Sequence, residues 1–291
     1  DYVTKPIHDL AVLEHAIRKA LEQAALRREN RRYRLHLEEV NRELSNSLRQ
    51  LQEDEAAGRR VQFQLLPPRH QAFGDLEFSR SLVPSTYLSG DFVDYFAIDD
   101  EHIGFYVLDV SGHGVSSAFV TVLVKSYFSQ CLEVYRRDRG QSILRPGEVL
   151  ARLNDYILRQ QLDKHLTIFY GVIDRKRNRL LFSNGGQFPY PIFFDGREPR
   201  YVEEHGPAIG LFETSEFPSS ELALPEGFCL TLVSDGVLEI LDAPDLANKE
   251  KKLLPLVTGD HRTIPVLEKE LGLADGRELP DDITILMVRR R

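Results

Sequence analysis

The sequence predicts an α+β fold in which antiparallel sheets carry helices on their outer faces. Two observations lead there. Beyond about residue 67 the chain is filled with short β-rich runs bounded by Gly, Asp and Pro: Phe92 to Ile98, Ile103 to Val110, Thr167 to Asp174, Arg179 to Ser183, Tyr190 to Phe194, Phe228 to Val233 and Ile283 to Val288. Helical stretches between them are few, at Val115 to Arg136, Pro146 to Gln161 and Ile264 to Glu270. So many strands with so few crossover helices suit antiparallel pairing better than a parallel sheet.

Taken in order, the chain begins with Asp1-Tyr2-Val3-Thr4-Lys5-Pro6 and not with methionine, so it reads as a fragment whose upstream part is missing. Tyr2-Val3-Thr4 reads as a strand end. Leu10, Leu13, Ile17, Ala20 and Leu21 then recur at helical spacing, and that face needs a packing partner the segment does not supply. From about Glu22 to Gly58 the chain is rich in Arg, Glu, Gln and Leu and has no proline. Leu37, Val40, Leu44, Leu48 and Leu51 fall close to a heptad seam. Two readings stay open, a pairing helix between two copies of the chain and a solvated helix docked on its own domain. Arg27, Arg28, Arg31, Arg32 and Arg34 are interleaved with and followed by glutamates, as on a solvated helical face. Gly58 and Pro67-Pro68 bracket an amphipathic stretch, Val61 to Leu66.

Composition narrows the function. With 291 residues, 42% hydrophobic and 28% charged, the chain has room for one large domain and something smaller. A net charge of −8 argues against a general nucleic-acid binder, which needs a basic surface. No apolar run approaches a membrane span, and no signal-peptide pattern opens the chain. Cys131 and Cys229 lack metal-ligand spacing and read as buried core thiols in a reducing cytoplasm.

The chemistry resides in aspartates at strand ends. Asp91 follows Ser89-Gly90, Asp109 opens Asp109-Val110-Ser111-Gly112-His113-Gly114, Asp235 lies in Ser234-Asp235-Gly236, and Asp281-Asp282 precede Ile283-Thr284. One such aspartate is a turn signal. Four separated cases suggest convergence on one all-oxygen site, suited to Mg²⁺ or Mn²⁺ rather than zinc.

These motifs, in this order, resemble those of the metal-dependent protein phosphatases, in the SpoIIE- and RsbU-like branch. Val61 to Pro67, Thr167 to Val172, Asn184-Gly185-Gly186 and Gly206 to Leu211 agree in order, and the likeness runs from about Arg59 to Arg291. The resemblance implies two antiparallel sheets packed face to face with helices outside, and two Mn²⁺ or Mg²⁺ ions at one edge. By motif position Asp109 bridges the metals, the Val110 carbonyl binds one, and Asp91, Asp235 and Asp281 complete the set. Asp94, Gly112, His113, Gly236 and Asp282 take supporting roles. Gln187, where histidine is common, and Ser89, where glycine is common, depart from the pattern without touching a ligand position. No arginine stands out as a clamp for substrate phosphate.

Tyr2 to Pro6 resembles the last strand of a response-regulator receiver, with Lys5 as its phosphate-contacting lysine. The implied order is a receiver tail at 1–22, a helical linker at 23–60 and a phosphatase domain at 61–291. It resembles RssB-like regulators. The implied function is hydrolysis of phosphoserine or phosphothreonine on a partner such as an anti-sigma-factor antagonist, in the cytoplasm, with no nucleic acid or membrane as partner. The alternatives are an adaptor that binds a sigma factor or anti-sigma antagonist with little catalysis, and another kind of metal hydrolase. The linker carries the expectation of a homodimer.

Overall fold

The computed structural model describes residues 10–138, 140–257, 263–273 and 279–290. The receiver-like Tyr2 to Pro6, with Lys5, lies outside the described residues. The chain divides into two units, Asp1–Asp54 and Glu55–Arg291.

Helix α1 runs from Leu10 to Leu65 without interruption, so Gly58 is not the break its residue type suggested. A helical glycine costs about 1 kcal/mol relative to alanine. Here its bare Cα faces the Leu88 side chain, which a Cβ would meet at 3.5 Å. In the N-terminal unit Leu37, Val40, Leu44, Leu48 and Leu51 are all exposed, 44% to 60%. A lone helix cannot bury its own apolar stripe.

The second unit is a two-sheet sandwich. Its strands are β1 His70–Phe73, β2 Leu76–Val83, β3 Asp91–Ala97, β4 His102–Val110, β5 Leu166–Asp174, β6 Arg179–Gly185, β7 Ile192–Phe194, β8 Pro199–Tyr201, β9 Ser220–Ala223, β10 Cys229–Val233 and β11 Ile283–Arg290. One sheet has the order β1-β2-β11-β10-β7-β8 and the other β3-β4-β5-β6-β9. Every strand pair is antiparallel, as the sequence predicts. Helices α2 (Val115–Asp138) and α3 (Pro146–Gln160) lie on the β3-to-β9 sheet. Short α4 (Gly236–Ile240), α5 (Leu246–Leu256) and α6 (Ile264–Glu270) lie on the other.

Strand alternation builds both cores. Tyr95 and Phe105 point between the sheets and meet Phe78 of β2 at ring distances of 5.1 and 5.9 Å. Their neighbours in sequence point outward: Phe96 and Tyr106 meet Phe128 of α2, the latter stacked at 4.3 Å. On β10 and β11, Leu230, Leu232, Leu286 and Val288 join the inner core, while Val233, Ile283, Ile285 and Met287 pack with α4 to α6. Although α2 is long and apolar enough to cross a membrane, it buries Val124 and Phe128 as the core helix of the sandwich. Cys131 and Cys229 are half-buried at the margins of the two cores, less enclosed than expected.

Phe128 is the keystone of the helix-to-sheet layer, 1% exposed and touching Phe96, Tyr106, Tyr127 and Tyr170. Phe128→Ala should destabilise the sandwich by about 3–5 kcal/mol. Urea unfolding would check this, and a loss below about 1 kcal/mol would mean that the layer repacks around the gap.

Candidate active site

Antiparallel register brings the first two carboxylates together. Asp91 opens β3, Asp109 lies near the end of β4, and the two are direct cross-strand partners. Paired residues share a face, and this face is the inner one, since Tyr95 and Phe105 on the same pleats meet Phe78 across the sandwich. Thr167 of β5 is the next partner in the row. The opposite sheet supplies the other carboxylates. Asp235 follows β10 and stands at the start of α4, while Asp281 and Asp282 lead into β11. Ser234 fastens these two strand ends: Thr284 N–H donates to its Oγ (2.8 Å), and its own N–H donates to the Thr284 carbonyl (3.0 Å).

Asp282 ties the two sheets at this end. Its carboxylate accepts from Ser85 N–H (2.7 Å) and Oγ (2.8 Å), Ser89 Oγ (2.9 Å) and Gly90 N–H (2.7 Å). It thereby holds the segment that leads into Asp91. With both oxygens engaged, Asp282 anchors the loop. The serine at position 89 is used as well, because its Oγ also accepts from Asp91 N–H at 3.1 Å. Gln187, the other departure, is 2% exposed. It reaches the Val233 carbonyl (3.3 Å) and accepts from Thr167 Oγ1 (3.4 Å), spanning the two sheets beside the row.

Two glycines permit close approach. A Cβ on Gly90 would stand 3.0 Å from the Val110 carbonyl oxygen and 3.5 Å from Asp109 Oδ1. One on Gly236 would stand 2.1 Å from the Asp282 carbonyl oxygen. Gly112 and Gly114 have φ of +75° and +84°, which only glycine adopts without strain, and α2 starts immediately after them. His113 between them is exposed.

One expected member falls elsewhere. Asp94 lies three residues along β3 from Asp91, an odd number of steps, so it points to the opposite face. There it is 2% exposed and bound to Lys125 of α2 at 2.6 Å. It fastens the helix to the sheet and takes no part in the carboxylate cluster. Gln62 of α1 was not legible as a site residue. It is 3% exposed and makes a two-way clamp on Ser89, donating to its carbonyl (2.7 Å) and accepting from its N–H (3.1 Å). It also donates to Thr121 Oγ1 of α2 at 3.1 Å. A glutamine on an amphipathic helix gives no sign, from sequence, that it faces inward.

The carboxylates repel one another. Burial, and then the charge of Asp109, pushes Asp91 well above the usual carboxylate range, against partial relief from the hydroxyls of Ser234 and Thr284. Burial and the charges of Asp235, Asp281 and Asp282 push Asp109 up to about 7. Burial and Asp281 raise Asp235. Among the described residues none of Asp91, Asp109, Asp235 or Asp281 has a cationic side-chain partner. Asp91 Oδ2 is buried without a completed hydrogen bond. Among the described residues no group of three or more His, Cys, Asp or Glu side chains stands in ready ligating geometry. Even so, the donor set fits hard divalent cations: all oxygen, anionic, unpaired, and with one orphaned buried lone pair.

Residues 99–291 match the family model for stage II sporulation protein E, SpoIIE. The chain belongs to the SpoIIE family. The phosphoserine phosphatase RsbP of Bacillus subtilis is 32% identical over 184 residues, covering 58% of this chain and 44% of RsbP. Protein IcfG of Synechocystis is 25% identical over 258 residues, covering 80% of this chain and 41% of IcfG. The chain thus spans less than half the length of these two relatives. Among solved structures, the PP2C domain of SiaA from Pseudomonas aeruginosa superposes with a TM-score of 0.68 at 20% identity, over 84% of this chain and 99% of that one. This likeness shows that the SpoIIE-family chain shares the sandwich fold of that domain.

The raised carboxylates carry a consequence for the metal-free protein. Asp109 titrates near 7 when folded against 3.8 in the unfolded chain, so across that window the folded state binds more protons. Its stability therefore falls as pH rises from about 4 to about 7. In EDTA, Asp109→Asn should melt higher than wild type at pH 7, with the difference shrinking as pH falls toward 5. Parallel melting curves at every pH would show that the cluster does not repel as described.

Proposed function

We propose that this chain is the output phosphatase of a response regulator, removing phosphate from phosphoserine or phosphothreonine on a partner protein in stress or sigma-factor signalling. The observation that carries the reading is the convergence of Asp91, Asp109, Asp235 and Asp281 at one end of the sandwich, from buried Asp91 through half-buried Asp109 and Asp281 to exposed Asp235, mutually repelling and, among the described residues, without cationic side-chain partners. Family membership and the likeness to RsbP, a phosphoserine phosphatase, support it. The receiver tail rests on Tyr2 to Pro6 alone, and the partner of choice is an anti-sigma-factor antagonist.

In this reading Asp91, Asp109, Asp235, Asp281 and the Val110 carbonyl hold two Mn²⁺ or Mg²⁺ ions. Bound there, the ions would lower the pKa of a water and neutralise charge on the phosphoryl group. The remaining work belongs to the chain. Asp282 and Gln62 fix the 85–90 segment, so that Asp91 is held in place against Asp109. Ser234 keeps Asp235 and Asp281 in step. Gly112 and Gly114, both at positive φ, shape the turn between Asp109-Val110 and the start of α2. Asp109→Asn or Asp235→Asn should lower Mn²⁺-dependent phosphate release from a phosphoserine protein by about 100-fold or more, the scale of removing one electrostatic stabiliser. Full activity in both variants would refute the assignment. Tight partner binding by a wild type with no hydrolysis would favour the adaptor reading.

The helical linker is proposed to join two copies. Its exposed seam at Leu37, Val40, Leu44, Leu48 and Leu51 has the spacing of a pairing surface. Leu44→Asp with Leu48→Asp would bury charge in that seam and should convert a dimer to a monomer in light scattering. A wild type that is monomeric at high concentration would sink the pairing.

Receiver state is proposed to reach the site through the end of α1. Phe63 and Leu65 pack against the core, and Gln62 grips Ser89 two residues before Asp91. Beryllofluoride on a full-length protein should shift its Mn²⁺ titration, and Gln62→Ala should blunt the shift. Superimposed wild-type curves with and without the mimic would end the idea.

A further inference from the structure

We propose that Lys164 is a phosphate-contacting residue of this site, supplying the cation that meets the substrate's phosphoryl group. The proposal rests on the phosphatase reading and adds to it a substrate-binding side chain. No arginine is hydrogen-bonded to the 109–114 segment among the described residues. One lysine is. Lys164 sits between α3 and β5, and its Nζ donates to the Ser111 carbonyl at 2.7 Å and to Ser117 Oγ at 3.2 Å.

An ammonium has three N–H donors. One is committed to the loop after Asp109-Val110 and one to Ser117 in the first turn of α2, which leaves one for a ligand. The direction in which Nζ is open follows from Gly112. A Cβ there would stand 3.1 Å from Nζ, so any side chain at 112 would press on the ammonium, and glycine leaves it bare. The Gly112 carbonyl oxygen in turn lies 3.2 Å from a Cβ position on Gly90 that is itself 3.5 Å from Asp109 Oδ1. The ammonium and the carboxylate cluster thus flank one glycine-lined stretch of backbone. Among the described residues, a Cβ placed on Gly114 would meet nothing beyond its chain neighbours within 4 Å.

Lys164 is also preorganised. Ser111 N–H donates to the His165 carbonyl at 2.9 Å, and His165 N–H donates to Ser111 Oγ at 3.2 Å. Leu166 and Ile209 exchange two backbone hydrogen bonds just beyond. A cation held in this way binds a phosphoryl oxygen without first being ordered. A lysine acts on phosphate as a point charge, with no need for arginine's planar fork.

The competing role is purely structural, with Lys164 doing no more than fastening Ser111. Titration calorimetry on Mg²⁺-loaded protein separates the two without relying on turnover. Inorganic phosphate should bind Lys164→Met about 10- to 100-fold more weakly than wild type, the loss of one hydrogen bond to a charged group. Mg²⁺ affinity should hold, and Lys164→Arg should recover most of the phosphate binding. Footprinting of the wild type by lysine acylation, read by mass spectrometry, should show Lys164 protected by phosphate plus Mg²⁺ beyond Mg²⁺ alone. That measurement stands even where the methionine variant fails to fold. Unchanged phosphate affinity in a folded Lys164→Met, weakened Mg²⁺ binding with phosphate affinity intact, absent protection, or a wild type that binds no phosphate would each overturn the proposal. A wild type that binds phosphate through Lys164 yet hydrolyses no phosphoprotein would leave the lysine in place and refute the phosphatase reading instead.

Discussion

At one end of the sandwich a single carboxylate ties the start of β11 to the segment that leads into β3, and the arrangement of the site follows from that join. Asp282, at the start of β11, accepts four hydrogen bonds from the segment that leads into β3. Sheets packed face to face through apolar side chains can slide, because hydrophobic contact is not directional. Charge-assisted hydrogen bonds to backbone N–H groups are directional. They fix where Asp91 and Asp109 stand against Asp235 and Asp281. Gln62 grips the same segment from the helix side, so it is held from two directions.

Such a join makes an energetically awkward rim tolerable. Buried carboxylates that crowd one another raise one another's proton affinity, and Asp109 reaches about 7. A protein selected for stability alone would have no reason to collect unpaired acids there. The strain is sensible where a cation is to be taken up, since the charges that repel in its absence become its ligands. The apolar layers on both sides of the β3-to-β9 sheet, from Phe78 through Phe105 to Tyr106 and Phe128, supply the rigidity against which this repulsion is held.

The sandwich also sorts residues that look alike in the sequence. Asp91 and Asp94 have nearly the same neighbours in Gly90-Asp91-Phe92-Val93-Asp94-Tyr95. The pleat sends one into the site and the other to Lys125. The β1–β2 hairpin was missed for a related reason. Leu76–Val83 carries Glu77 and Arg80, which blur its apolar pattern. Glu77 is nonetheless buried, paired across β11 with Arg289 at 2.7 Å, a partner that no local window contains. The edge strands β8 and β9 are only three and four residues long and leave almost no periodic signal.

The sequence by itself determined the class of the fold, seven of its strands, its long helices and the strand-end acids that are the candidates for its chemistry. These depend on local patterns: alternation in strands, helical spacing, and aspartate beside glycine where a strand must end. Tertiary structure alone decided which of those acids meet, because that depends on register and facing between strands far apart in the chain. It also assigned Gln62, Ser89 and Lys164 their places. Each is a polar side chain of ordinary local context whose partner lies 27 or more residues away, and hydrogen bonds over such distances leave no periodicity to read.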